Sequence, residues 1–227
     1  MAGLLDKLFP NVMEKLPEFY ESIWETLQMT GQSGIIIFFL GLFLGIVLIV
    51  SQKGGILENI ILYQILDKVI NFFRSIPFII LLAGLIPFTR MISGTAIGVK
   101  GAIVPLVFGT TPFFARQVET ALAELNPGLI EAAQSMGESN LGIVFRVMLK
   151  ESIPALSRAV TITAINLIGL TAMAGAIGAG GLGDFAIRFG YQRNQTDVTY
   201  AAVIVLVLLV SILQLAGNII SNTASKK

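Results

Sequence analysis

The sequence predicts an all-helical integral membrane protein with about five transmembrane helices. Three observations carry this. Hydrophobic residues make up 55% of the 227 residues and charged residues only 13%, about half the roughly 25% of soluble proteins. Mean hydropathy is +0.83. Uncharged apolar stretches recur at lengths that suit a hydrocarbon core of about 30 Å. Histidine and cysteine are both absent, which excludes disulfides, zinc sites built on them, haem attachment, thiol nucleophiles and Ser-His-Asp chemistry. A net charge of +1 gives no cationic footprint for nucleic acid. Catalytic residues, metal ligands and a cofactor on this chain are not expected.

Residues 1–32 carry Asp6, Glu14, Glu18, Glu21 and Glu25 against Lys7 and Lys15, unlike the basic start of a signal peptide. Leu16, Phe19, Tyr20, Ile23, Trp24 and Leu27 recur at helical spacing. They predict an amphipathic arm, either lying on the membrane surface or packed on the protein's own membrane part.

The first span is expected over residues 34–51, an unbroken apolar run flanked by Ser33 and Ser51. The second, 69–88, carries Arg74 and Ser75-Ile76-Pro77, which should bend it, and Pro87, which should close it. The third, 95–115, holds Lys100, Pro105, Thr110, Thr111 and Pro112. The fourth, 159–178, holds Thr161, Thr163, Asn166 and Thr171 among small residues. Polar and small residues at membrane depth predict that these three line a pathway or pack in the bundle. The fifth, 198–215, has twelve Val, Ile and Leu residues, favouring insertion by about 4 to 7 kcal/mol, and should face lipid.

An odd number of spans places the termini on opposite sides. Lys53, Lys68, Arg74, Arg116, Arg146, Lys150, Arg158, Lys226 and Lys227 lie on one side, against Lys7, Lys15, Arg90, Lys100, Arg188 and Arg193 on the other. The richer side is cytoplasmic by the positive-inside rule, so the arm is extracytoplasmic, and the loop 116–158 and the tail 218–227 are cytoplasmic. The membrane part is 33–217.

In the loop, Asn126 suits an N-cap, Pro127 a first helical position and Gly137 a left-handed stop, predicting a helix over 128–136. Its apolar stripe is Leu129, Ile130, Ala133 and Met136. So short a helix needs something to pack on, either its own bundle or a partner.

The string Glu131-Ala132-Ala133, then Gly137, then Val147-Met148-Leu149 resembles the EAA loop of ABC importer permeases. The family has a proline after that leucine, where this chain has Lys150, with Pro154 four residues on. Further strings, Arg74-Ser75-Ile76-Pro77-Phe78-Ile79-Ile80, Ile86-Pro87-Phe88-Thr89-Arg90, Ala172-Met173-Ala174-Gly175-Ala176 and Gly180 through Arg193, are similar to methionine ABC importer permeases over residues 69–217. The resemblance implies a type I importer permease fold that works as a homodimer in the cytoplasmic membrane of a bacterium. It implies two ATPase subunits, holding ATP and magnesium, and an extracytoplasmic methionine-binding protein as partners, besides membrane lipid.

It further implies that Leu129, Ile130, Glu131, Ala132, Ala133 and Gly137 couple to the ATPase. Met173, with Ala172, Ala174, Asn166 and Pro77, is the expected pathway and gate. Asp184, Arg188, Tyr191 and Arg193 are expected to meet the binding protein. Gly178-Ala179-Gly180-Gly181-Leu182-Gly183 satisfies G-x-G-x-x-G, but an apolar helix precedes it instead of a strand, so a tight turn is expected and not a dinucleotide site. No phosphate-binding P-loop motif is present. A permease for another amino acid or small polar solute is the alternative, and after it an ion-coupled transporter. The latter usually carries acidic residues at membrane depth, and the expected spans have none near their centres.

Overall fold

The computed structural model describes residues 7–224, and among these no strand occurs. The helices are α1 (Pro10–Met13), α2 (Leu16–Ser51), α3 (Ile60–Ser75), α4 (Phe78–Gly84), α5 (Ile86–Ser93), α6 (Gly98–Ala123), α7 (Pro127–Ser135), α8 (Asn140–Gly142), α9 (Leu149–Glu151), α10 (Ile153–Gly175), α11 (Gly181–Phe185) and α12 (Thr196–Ala224). Two π-helical turns, Ile143–Met148 and Ala186–Tyr191, follow α8 and α11. Residues 1–6 of the expected arm and 225–227 of the expected tail lie outside the described residues.

Among the described residues four helices are long and apolar enough to cross a membrane: α2, α6, α10 and α12. The expected second span departs from a single helix. Ile76 is extended (φ −84°, ψ 123°), the conformation a following proline favours, so α3 stops and α4 begins after Pro77. Pro87 does not close the segment. It sits in the first turn of α5, where a missing N–H costs nothing, and the helix runs on to Gly94, a left-handed stop at φ 73°. Helix α2 has no break near residue 32; its 36 residues are about 54 Å long, so the expected arm continues from Leu16 into the first span. Helix α6 likewise runs on past the expected third span, carrying the start of the expected loop as far as Ala123.

The chain folds as two compact units. The first comprises residues up to 35, 77–108 and 164–213. Its core joins Val12, Phe185, Val198 and Ala201, with Phe9, Phe19 and Phe189 packed against them. Asn11 fastens α1 to α12, its backbone N–H and side-chain amide each donating to an Asp197 oxygen at 2.9 Å. Residues 36–76, 109–163 and 214 onward form the second unit. Here Leu48, Ile70 and Ala115 form the core, with Leu44, Tyr63 and Leu66 around them. Gly41 and Gly45 of α2 lie so close to α6 that a Cβ would strike Phe114 at the first and Val118 and the Ala115 carbonyl at the second. Four residues apart, they give α2 the small-residue face on which membrane helices approach closely.

Candidate functional site

Helix α7 forms where the local signals place it. The Asn126 side-chain oxygen accepts from the Gly128 N–H at 3.0 Å, and Pro127 takes the first position. At the other end Gly137 (φ 78°) closes a Schellman motif. The Glu138 N–H donates to the Ala133 carbonyl at 3.1 Å, and the Gly137 N–H to that of Gln134 at 3.0 Å. The helix rests on the π-turn that follows α8. Ala133 is buried and Ile130 partly so, while Ile143, Val144 and Met148 fill the space below.

The expected apolar stripe is therefore split. Leu129 and Met136 point away from this core, Met136 being 80% exposed, and Leu141 and Phe145 of the following segment are 67% and 63% exposed. Glu131, Ala132 and Gly137 are exposed as well. Four large apolar side chains beside an uncovered carboxylate make a surface that water does not favour and a protein partner would cover. Lys150, in the place of the family proline, lets the helix run on through α9. The chain turns instead at Ser152 (φ −88°, ψ 6°), and Pro154 enters the first turn of α10.

On α10 the expected gate residues separate by face. Asn166 and Met173 are exposed, as is Gly169 on the turn between them, whereas Ala174 is buried and Ala172 partly buried. Pro77 is exposed too. Only 22% of the most apolar stretch of α10 is buried in the single chain, against 61% for α6. An asparagine and a glycine on an uncovered face are poorly suited to lipid.

The glycine-rich turn after α10 has Gly178, Gly180 and Gly181 at φ 92°, 82° and 78°, a conformation other residues avoid. Beyond it two of the expected docking residues share one ring. Arg188 and Arg193 stack on Phe189 with guanidinium carbons 4.6 and 4.9 Å from its centre, and Lys15 lies 6.0 Å from it. Asp184 is tied to Arg188 at 3.0 Å, and Tyr191 stands 79% exposed.

Two polar groups escape a sequence reading. In the second unit Arg116 bonds Asp67 at 2.5 Å and Glu119 at 2.6 Å, with Asn71 at 3.3 Å. Tyr63 donates to Glu119 at 3.4 Å. Burial first, then the Glu119 and Asp67 carboxylates, raise the Tyr63 phenol above its ordinary value, which keeps it neutral and a donor. In the first unit Glu25 and Thr26 bond the turn after α10. No spacing in the sequence marks these residues as partners.

The chain is similar to the methionine import system permease protein MetP of Bacillus subtilis, 45% identical over 99% of this chain and 100% of the relative. It is similar to a probable D-methionine transport system permease protein MetI of Vibrio cholerae, 46% identical over 86% and 87%. A solved structure of the MetNI methionine ABC transporter in an inward-facing conformation matches with a TM-score of 0.91 and 46% identity, over 93% of this chain and 98% of that one. The fold is thus that of a type I ABC importer permease. The family model for the inner membrane component of binding-protein-dependent transport systems matches residues 37–225, and this chain belongs to that family.

Proposed function

We propose that this chain is the membrane-spanning permease subunit of a methionine ABC importer in a bacterial cytoplasmic membrane, moving its substrate by alternating access. The observation that carries this is the exposed surface of Leu129, Glu131, Met136, Leu141 and Phe145 around α7, in a chain 45% identical to a methionine import permease along its length. Two ATPase subunits holding ATP and magnesium would cover that surface on the cytoplasmic side. Their closure on ATP would move α7, and the energy would enter this chain as displacement of packed helices.

A second copy would cover the polar face of α10, placing Met173, with Ala172 and Ala174 beside it, at the two-fold axis as a gate, together with Asn166 and Pro77. The broken segment of residues 69–88 would supply the fifth crossing, with its backbone facing protein or water instead of lipid. A methionine-binding protein would dock outside, on Asp184, Arg188, Tyr191 and Arg193. The amino end is then outside and the carboxyl end inside.

The test is uptake of labelled methionine into proteoliposomes holding this chain with its ATPase and binding protein. Uptake that requires ATP and is displaced best by unlabelled methionine is expected. Uptake driven by an ion gradient without ATP would overturn the class, and ATP-dependent uptake indifferent to methionine would overturn the substrate. Glu131→Lys should lower ATP-driven uptake by about tenfold, the loss of one charge-assisted contact at a docked surface.

A further inference from the structure

The turn between α10 and α11 joins the residues proposed as gate to those proposed for docking, and α2 grips it. The Glu25 carboxylate accepts from the Gly181 N–H at 2.6 Å, and the Thr26 hydroxyl oxygen accepts from the Leu182 N–H at 2.9 Å. These are the first two N–H groups of α11, which have no partner within so short a helix. The Thr26 hydroxyl spends its own proton on the Ser22 carbonyl at 2.9 Å, so its lone pair is left for Leu182. A third helix joins in, the Gly98 N–H of α6 donating to the Gly178 carbonyl at 3.0 Å.

The packing leaves no slack around these bonds. A Cβ on Gly180 would strike the Glu25 carboxylate, and one on Gly181 would strike the Thr26 hydroxyl and Met29. A Cβ on Gly183 would strike the Ala172 carbonyl, and one on Gly175 the Asp184 amide nitrogen. Helix α11 therefore lies backbone to backbone against the last turns of α10, where Ala172, Met173 and Ala174 sit, and continues into Asp184 and Arg188. A displacement of the docking segment would reach the gate end of α10 through this contact, provided the turn stays closed.

We propose that Glu25 and Thr26 are positioning residues for transport: by holding the Gly181 and Leu182 amides they keep the turn closed, so that docking outside is felt at the gate. The proposal rests on reading the chain as an importer permease. Neither side chain would touch substrate.

Hydrogen exchange at the Gly181 and Leu182 amides of the permease–ATPase complex tests the first half, without substrate or binding protein. Glu25→Ala should speed exchange at Gly181 by about tenfold or more, as expected for losing a bond to a charged acceptor. Glu25→Gln keeps an acceptor oxygen and should restore most of the protection. The second half is read in proteoliposomes as the concentration of binding protein that half-maximally stimulates ATP hydrolysis. It should rise about threefold to tenfold in Glu25→Ala, with basal hydrolysis unchanged and Glu25→Gln close to the parent. Should Glu25→Ala fail to assemble, Thr26→Val against Thr26→Ser reads the same contrast at Leu182.

Unchanged exchange, or a Glu25→Gln as impaired as Glu25→Ala, would overturn the proposal. So would basal and stimulated hydrolysis falling in parallel at an unaltered half-maximal concentration. Exchange is read without methionine, so the positioning role can fail while methionine uptake stands, and hold if the substrate proves to be another solute.

Discussion

Helices α6 and α12 are both long and apolar enough to cross a membrane, yet 61% of the most apolar stretch is buried in α6 and 6% in α12. The more buried of the two is the less apolar. Helix α6 carries two prolines, paired threonines, Arg116 and Glu119, and α12 is a run of Val, Ile and Leu. In water the order would be reversed. In a bilayer apolar side chains lose nothing by facing the solvent, so polar and small residues decide which helices gather in the protein interior. By that rule α10 is out of place. It is nearly as polar as α6, but only 22% of its most apolar stretch is buried in one chain. A second copy of the chain over the face of Asn166, Gly169 and Met173 would restore the rule.

The largest expected contrast comes from charge. Arg116→Ala leaves the buried Glu119 and the half-buried Asp67 without their cation, and should cost about 2 to 4 kcal/mol. This is somewhat less than the loss for a fully buried pair, because Arg116 keeps some solvent. Thermal unfolding in detergent measures it. The mirror experiment on α12 is Leu208→Arg, expected to cost about 3 kcal/mol as reduced membrane insertion, with little effect on internal packing. A large loss of packing at Leu208, or none at Arg116, would break the comparison.

Glycines sharpen it next. Gly45→Ala forces a methyl group into Val118 and the Ala115 carbonyl, with an expected loss of about 1 to 3 kcal/mol. Gly31, on the same helix, has open space around it, and Gly31→Ala should gain about 0.5 to 1 kcal/mol. Opposite signs in the detergent unfolding midpoint would locate the α2–α6 contact of the second unit. The smallest effect belongs to Thr110, whose buried hydroxyl has no hydrogen-bond partner among the described residues. Thr110→Val should be neutral or stabilising by up to about 1 kcal/mol.

The contrast between local and distant signals also explains what the sequence can tell. Helix α7 is legible because its start and stop are written in adjacent residues, Asn126, Pro127 and Gly137. The division of 69–88 is half legible. Pro77 marks a break, but Pro87 reads as a terminator in the sequence, whereas its place in a first turn makes it a start. The length of α2 is hidden because charge at Glu18, Glu21 and Glu25 looks like the mark of a surface segment. Glu25 instead has a partner 156 residues away, and Arg116 one 49 residues away. Such bonds depend on which helices pack together, and no spacing in one stretch of chain records them.

The face of α10 carries the most weight, and cysteine cross-linking in native membranes tests it most directly. Met173→Cys should form a disulfide-linked dimer on mild oxidation, while Leu208→Cys on α12 should remain monomeric. A monomeric Met173→Cys beside a cross-linked Leu208→Cys would contradict the account, placing α12 at the subunit contact and leaving the polar face of α10 to lipid.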